Sequence, residues 1–188
     1  SDQATAHALR RNLSSDSDRF PQDVVELMDF MSDAPQQHVR AVPGTGLKVP
    51  VWILGSSLFG AQLAAMLGLP YAFASHFAPA QMMQAIEIYR QHFRPSENLA
   101  KPYVMLGFNV FAADTDEEGW FRASSSQQAF INLRSGRPKK LPPPVEGFYQ
   151  HAGPHEKALL DSVLSCAAIG SPGSVRQALQ DFIDRTRA

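Results

Sequence analysis

Residues 50–76 read PVWILGSSLFGAQLAAMLGLPYAFASH, and this stretch decides the fold. An apolar, β-rich run (Val51, Trp52, Ile53, Leu54) stops at Gly55-Ser56-Ser57. Phe59, Leu63, Met66 and Leu67 then recur at the spacing of one helix face. Gly68 ends the helix, Pro70 follows, and a second apolar run starts at Tyr71. Strand, small polar turn, helix, strand is one βαβ unit. Such a turn, at the carboxyl end of a strand, offers backbone N–H groups and hydroxyls to an anion such as a phosphate. A plain serine N-cap is the competing reading, and on pattern alone the better one.

The rest of the chain repeats the alternation. Residues 2–13 carry a helix pattern, and Pro21 opens a second helix marked by Phe20, Val24, Leu27, Met28 and Met31. Residues 32–49 read as a loop. Pro79 starts a helix with Met82, Ile86, Tyr89 and Phe93 on one face. Tyr103–Ala112 is the longest strand candidate, with Gly107 inside it as a bulge or a point of close approach. Residues 119–150 read as an irregular insertion, basic near its end and extended at Pro142-Pro143-Pro144. Leu159, Leu160, Val163 and Leu164 mark a helix, and Cys166–Ile169 a short strand. Ser171 as N-cap with Pro172 at N1 opens the last helix. Four strands, each followed by a helix, predict a parallel α/β sheet. Either a small open sheet or part of a (β/α)8 barrel satisfies this count. A whole barrel takes about 250 residues.

Composition bounds the function. The 188 residues, read as one domain spanning 1–188, suffice for a real core, and 44% hydrophobic with 19% charged residues is ordinary for a soluble protein. A net charge of −1 leaves no electrostatic footprint for nucleic acid. A single cysteine, Cys166, excludes an internal disulfide and fits a reducing, cytoplasmic setting. No uninterrupted apolar run approaches the roughly 20 residues of a membrane helix. The chain begins with Ser and runs straight into a helix pattern, so it reads as a fragment or a processed product.

Three stretches carry a resemblance. PVWILGSSLFGAQLAAMLGLPYAFASHF, QQAFINLRSGRPKKLPPPVEGF and CAAIGSPGSVRQALQDFI resemble the second half of the bacterial luciferase-like flavin monooxygenases. The early segment DQATAHALRRN and FPQDVVELMDFM is similar to that family's stretch after its fourth strand. The resemblance covers essentially the whole chain in order and is strongest to single-chain, alkanal-monooxygenase-like members. It implies a partial TIM (β/α)8 barrel, strands five to eight with their helices, lacking the first half. It also implies reduced FMN and O2 as co-reactants and an aldehyde or similar small organic substrate. Gly55, Ser56, Ser57, Leu58 and Gly60 would then hold the FMN phosphate, through the Ser57 hydroxyl and the N–H groups of Leu58 to Gly60. No Lys, Arg, Asp or Glu occurs from Val49 to Ile86, so this turn would be only part of that site. His76 and Phe77, after the next strand, would line the substrate pocket.

Other candidates weigh less. Asp114, Asp116, Glu118 and Gly119 imitate the start of a calcium loop, but Ser125 stands where a bidentate Glu is needed. An acidic first helical turn is the better reading. Cys166 sits in an apolar pattern and reads as a buried small hydrophobe. By alternation, either Asn109 and Phe111 or Phe108 and Val110 face inward. The basic run Arg134, Arg137, Lys139 and Lys140 reads by default as a solvated loop, with a site for an acidic partner or a lid as the alternatives. No metal-ligand spacing and no catalytic base is assigned. Without a G-x-G-x-x-G fingerprint, a separate flavin reductase would supply reduced FMN. The expected partners are a homodimer mate or the missing half, since a half-barrel leaves two unpaired strand edges; a truncated, inactive product is the alternative.

Overall fold

The computed structural model describes residues 19–33 and 40–188. The helix expected over 2–13 lies outside the described residues. The structure divides into two compact units, up to Val51 and from Trp52. In the first, helix α1 (Phe20–Met31) starts with Pro21 in its first turn, and residues 40–50 form turns and loop.

The second unit holds five parallel-paired strands: β1 (Ile53–Gly55), β2 (Tyr71–Phe73), β3 (Val104–Leu106), β4 (Asn109–Ala112) and β5 (Ala167–Gly170). β1, β2 and β3 form one sheet in that order, and β4 and β5 a second. The strand expected over 103–112 is therefore divided. Its first half pairs with β2 and its second with β5, with Gly107 and Phe108 at the break. Two bonds pin the break. The Gly107 N–H donates to the Phe73 carbonyl at 3.1 Å, and the buried Ser75 hydroxyl donates to the Gly107 carbonyl at 2.6 Å. A Cβ at position 107 would overlap the His76 ring, so the close approach foreseen for this glycine is real.

Helix α2 (Leu58–Leu67) returns from β1 to β2, and α3 (Met82–His92), entered through a 3-10 turn at Pro79–Gln81, packs beside it. The face of α2 expected from Phe59, Leu63, Met66 and Leu67 is corrected. Gly60, Ala61, Leu63, Ala64 and Ala65 are buried, while Phe59 and Met66 are exposed. Small residues let α2 lie close to α3, and that interface has no bulky apolar period to read. Gly68 ends α2 in the left-handed region (φ 62°), where a Cβ would strike the Arg94 carbonyl and Ser96. Ile53, Tyr71 and Val104, in register, are buried on one face of the first sheet. The other face carries Leu54, Ala72 and Met105, and leaves Leu54 69% and Met105 53% exposed. The described strands do not close into a barrel.

Helix α4 (Asp116–Arg134) corrects the irregular insertion expected over 119–150: residues 119–134 are helical, and the irregular part is 137–146. Its buried face is Gly119, Ala123, Ser124 and Gln127, small and polar residues that give no apolar period. The proline-rich segment is tied back along α4, where Gln128 donates to the Pro143 carbonyl at 3.0 Å and the Val145 N–H to the Ser124 hydroxyl at 2.7 Å. A short helix α5 (Phe148–His151), α6 (Pro154–Leu164), β5 and α7 (Pro172–Thr186) complete the unit. Ser171 caps α7 as its sequence predicts, accepting from the Ser174 N–H, with Pro172 in the first turn. Phe108 stacks on Phe182 of α7, with ring centroids 4.4 Å apart.

The first turn of α4 is acidic, with Thr115 as N-cap, in agreement with the sequence reading. Among the described residues no cluster fit to hold a metal ion occurs. Asp116 reaches across to α7 and accepts from the Ser171 N–H at 2.7 Å. That backbone bond, then Ser174 and Ser171 side-chain bonds, holds the Asp116 carboxyl below the usual carboxylate range. A depressed folded pKa contributes stability above the unfolded value, near pH 4, which is lost as pH falls through the folded one. Asp116→Asn is therefore expected to lower the melting temperature by about 1–4 °C at pH 7, with the gap closing as the pH falls below the usual carboxylate range in thermal scans. Gly119 crosses Gly170 so closely that a Cβ would stand 2.5 Å from the Gly170 Cα. Backbone on both sides cannot yield, so Gly119→Ala should cost about 1–3 kcal/mol in denaturant titration.

Candidate functional site

The βα turns at the carboxyl ends of β1 and β5 both open helices with glycine and serine, and they differ in what already occupies them. At the β5–α7 turn, the Ser171 hydroxyl serves as the cap and the Asp116 carboxylate lies on the Ser171 N–H. That helix N-terminus is filled by the protein's own anion.

At the β1–α2 turn, Gly55 ends the strand and Ser57 is the N-cap residue, extended at φ −137° and ψ 169°, with no side-chain cap bond. Ser56 and Ser57 are exposed, and Leu58 and Gly60 lie in the first turn of α2. All five residues expected at a phosphate, Gly55, Ser56, Ser57, Leu58 and Gly60, thus stand at one helix mouth. Gly60 packs over Gly55 with little between them: a Cβ on either would lie 3.7 Å from the other's Cα. The turn is held from below. Tyr71, fully buried in β2, donates its hydroxyl to the Ser57 carbonyl at 3.3 Å. Burial pushes that phenol up to about 12, so it remains a donor throughout the ordinary pH range. The Ala74 N–H donates to the Gly55 carbonyl at 2.9 Å and fixes the end of β1 beside that of β2.

His76 and Phe77 follow β2 and line a half-open cavity of about 270 Å³. Asn109 and Phe111 face the same cavity, Phe108 turns to α7, and Val110 is exposed. This decides between the two alternations that the sequence leaves open. Asn109 donates from Nδ2 to the His76 carbonyl at 3.0 Å, which ties the start of β4 to the loop after β2. Helix α4 closes one side with Gln127, Ala129, Phe130 and Leu133, and Val163 and Leu164 of α6 reach the far wall. The Arg134 guanidinium stands 5.6 Å from the Phe77 ring centroid and 5.1 Å from that of Phe130. Arg134 is therefore helical and engaged with aromatic rings, whereas Arg137, Lys139 and Lys140 are exposed on the loop.

Cys166 is fully buried just before β5, with Sγ 3.8 Å from the Met82 Sδ. Burial pushes the thiol up, away from the thiolate a nucleophile needs, as its apolar setting predicts. Gln127, like Ser126, Ala129, Phe130 and Leu133, is a cavity residue that residue-by-residue reading missed. Its one signal was its place in the stretch QQAFINLRSGRP, which resembles the family. Among the described residues no helix is long and apolar enough to cross a membrane.

The family model for luciferase-like monooxygenases matches residues 6–187. A luciferase-like monooxygenase of Escherichia coli K12 is 50% identical across 100% of this chain, which covers 56% of that protein. The Bacillus subtilis protein YvbT is 47% identical over the same shares. Among solved structures, apo-MsnO8 superposes with a TM-score of 0.81 at 25% identity, covering 100% of this chain and 57% of its own. The monooxygenase RslO1 from Streptomyces bottropensis gives 0.59 at 17% identity, covering 97% and 55%, and shares the fold. The chain spans about half the length of the relatives it matches. It belongs to the luciferase-like monooxygenase family.

Proposed function

We propose that this chain forms one wall of an FMN-dependent monooxygenase that oxidises an aldehyde or a similar small organic molecule. Family membership supports oxygenase chemistry of this class. The observation that carries the cofactor assignment is the contrast between the two helix mouths. α7 already holds Asp116, whereas at α2 the Ser57 hydroxyl makes no cap bond and the neighbouring serine is exposed. A phosphate fits the second and is repelled from the first.

Bound FMN supplies the redox chemistry with O2. The chain's own residues bind and position. Ser57 would donate its hydroxyl to the phosphate beside the N–H groups of Leu58 to Gly60. Gly55 and Gly60 lie against each other at the mouth, and Tyr71 keeps the Ser57 carbonyl turned down. The cavity of His76 and Phe77 lies after β2, at the same end of the sheet, where a substrate would stand shielded from water by Phe77, Phe111 and Phe130. A separate reductase delivers reduced flavin, and the chain acts in the cytoplasm.

No Lys or Arg lies between Val49 and Ile86, so phosphate charge would be met in part by groups from outside this stretch. The bare Leu54 and Met105 face of the first sheet favours further sheet, from a partner half or a second copy, to cover it.

Ser57→Ala removes one hydrogen bond to a charged group, worth about 1.5–3 kcal/mol. FMN affinity, followed by flavin fluorescence, should fall about tenfold to a hundredfold, with riboflavin affinity changed less than about twofold. Equal loss for both flavins, or no loss, would remove the phosphate from this turn.

A further inference from the structure

The loop after β2 is pinned at three successive residues, yet the imidazole in its middle makes no hydrogen bond among the described residues. The Ser75 hydroxyl donates to the Gly107 carbonyl at 2.6 Å. The His76 carbonyl accepts from Asn109 Nδ2 at 3.0 Å, and the Phe77 N–H donates to the Ala74 carbonyl at 3.1 Å. The Phe77 ring is held in turn against the Arg134 guanidinium. His76 itself is exposed and lines the cavity.

The glycine beneath it orients the ring. Nδ1 lies nearest the place a Cβ would take on Gly107, with Cε1 and Cγ next, so Nε2 and Cδ2 form the edge turned away from Gly107. The Gly107 methylene accepts nothing, which favours the neutral tautomer with its proton on Nε2. The open edge of the ring then carries a donor with no acceptor on the chain. The other polar residues of the cavity are differently placed. Asn109 spends its N–H on the His76 carbonyl, and the Gln127 amide atoms are buried away from any ligand. Ser126, inside α4, has the carbonyl of the preceding turn within reach of its hydroxyl. No Asp or Glu lines the cavity to take the imidazole proton, and Phe77, Phe111 and Phe130 suit an uncharged body. One N–H facing an aromatic lining asks for one neutral acceptor, and a carbonyl oxygen meets it.

We propose that His76 donates a hydrogen bond from Nε2 to the carbonyl oxygen of the aldehyde, as a catalytic residue of the oxidation assigned above, on which this inference rests. In that reaction one atom of O2 is added to the aldehyde carbon and the other leaves as water. Reduced flavin supplies two electrons and two protons, and the aldehyde becomes a carboxylic acid. Addition at the carbonyl carbon moves the C=O π pair onto the oxygen. A donor already in place stabilises that charge as it develops, and the pinned loop supplies one without reorganisation.

Benzaldehyde and styrene share size and shape, and only the first carries an acceptor. NMR titration of both into the 188-residue chain, without flavin, tests the proposal. The His76 ring nitrogen Nε2 should shift with benzaldehyde and stay unmoved with styrene. His76→Phe, which keeps an aromatic ring, should weaken benzaldehyde binding about threefold to tenfold and styrene binding less than about twofold. His76→Gln, which keeps a donor, should restore part of the preference. An unchanged preference in His76→Phe, or a preference lost in Ser126→Ala instead, would overturn the proposal and leave the substrate in the cavity. Binding of neither ligand would remove the substrate from the cavity, and the role of His76 with it, while leaving the phosphate turn untouched. The ring-nitrogen measurement on the unaltered chain decides the matter even where a variant does not fold.

Discussion

The break in the run from Tyr103 to Ala112 is the constraint on which the second unit depends. Gly107 is gripped through its N–H by the Phe73 carbonyl of β2 and through its carbonyl by the Ser75 hydroxyl just after β2. One residue further, Phe108 leaves the sheet face to stack on Phe182, and β4 begins with the Asn109 N–H on the Cys166 carbonyl at 3.0 Å. A single stretch of chain thereby serves two sheets. The absent Cβ of Gly107 makes room for the His76 ring, and Asn109 in turn holds the His76 carbonyl. The cavity is what this arrangement leaves, lined by the loop after β2 on one side and β4 on the other, and closed by α4.

Much of this architecture was legible in the sequence where a local rule has one outcome. The βαβ unit over 50–76 was readable because its turn residues and apolar runs agree, and Gly68 and Ser171 end and open helices for reasons confined to a few residues. What was not legible depends on partners far along the chain. Alternation shows that 103–112 is extended, and says nothing of which neighbour each half takes. The helical part of 119–150 hid because its buried face is Gly119, Ala123, Ser124 and Gln127, chosen for close approach and hydrogen bonding. For the same reason the alanines of α2 are buried while Phe59 and Met66, which carry the apolar period, are not.

The candidate site divides in the same way. The Gly55-Ser56-Ser57 turn was visible as an anion cradle, but pattern alone favoured a plain serine cap. The two glycine-serine turns differ in one respect: at Ser171 the cap bond forms, and at Ser57 it does not. Asp116 adds the contrast, since a carboxylate 55 residues earlier in the chain fills the mouth of α7. Nothing in the local sequence of GSPGS could announce that. Gln127 was equally silent, because its burial beside the cavity is a property of surroundings.

The central claim is that a phosphate goes to the mouth of α2 and not to that of α7. Titrating FMN into the 15N-labelled chain and following backbone amides tests it most directly. The account predicts shifts concentrated at Leu58, Phe59 and Gly60, with Gly173 and Ser174 unmoved. Shifts centred on Gly173 and Ser174, or none at Leu58 to Gly60 under saturating FMN, would contradict it.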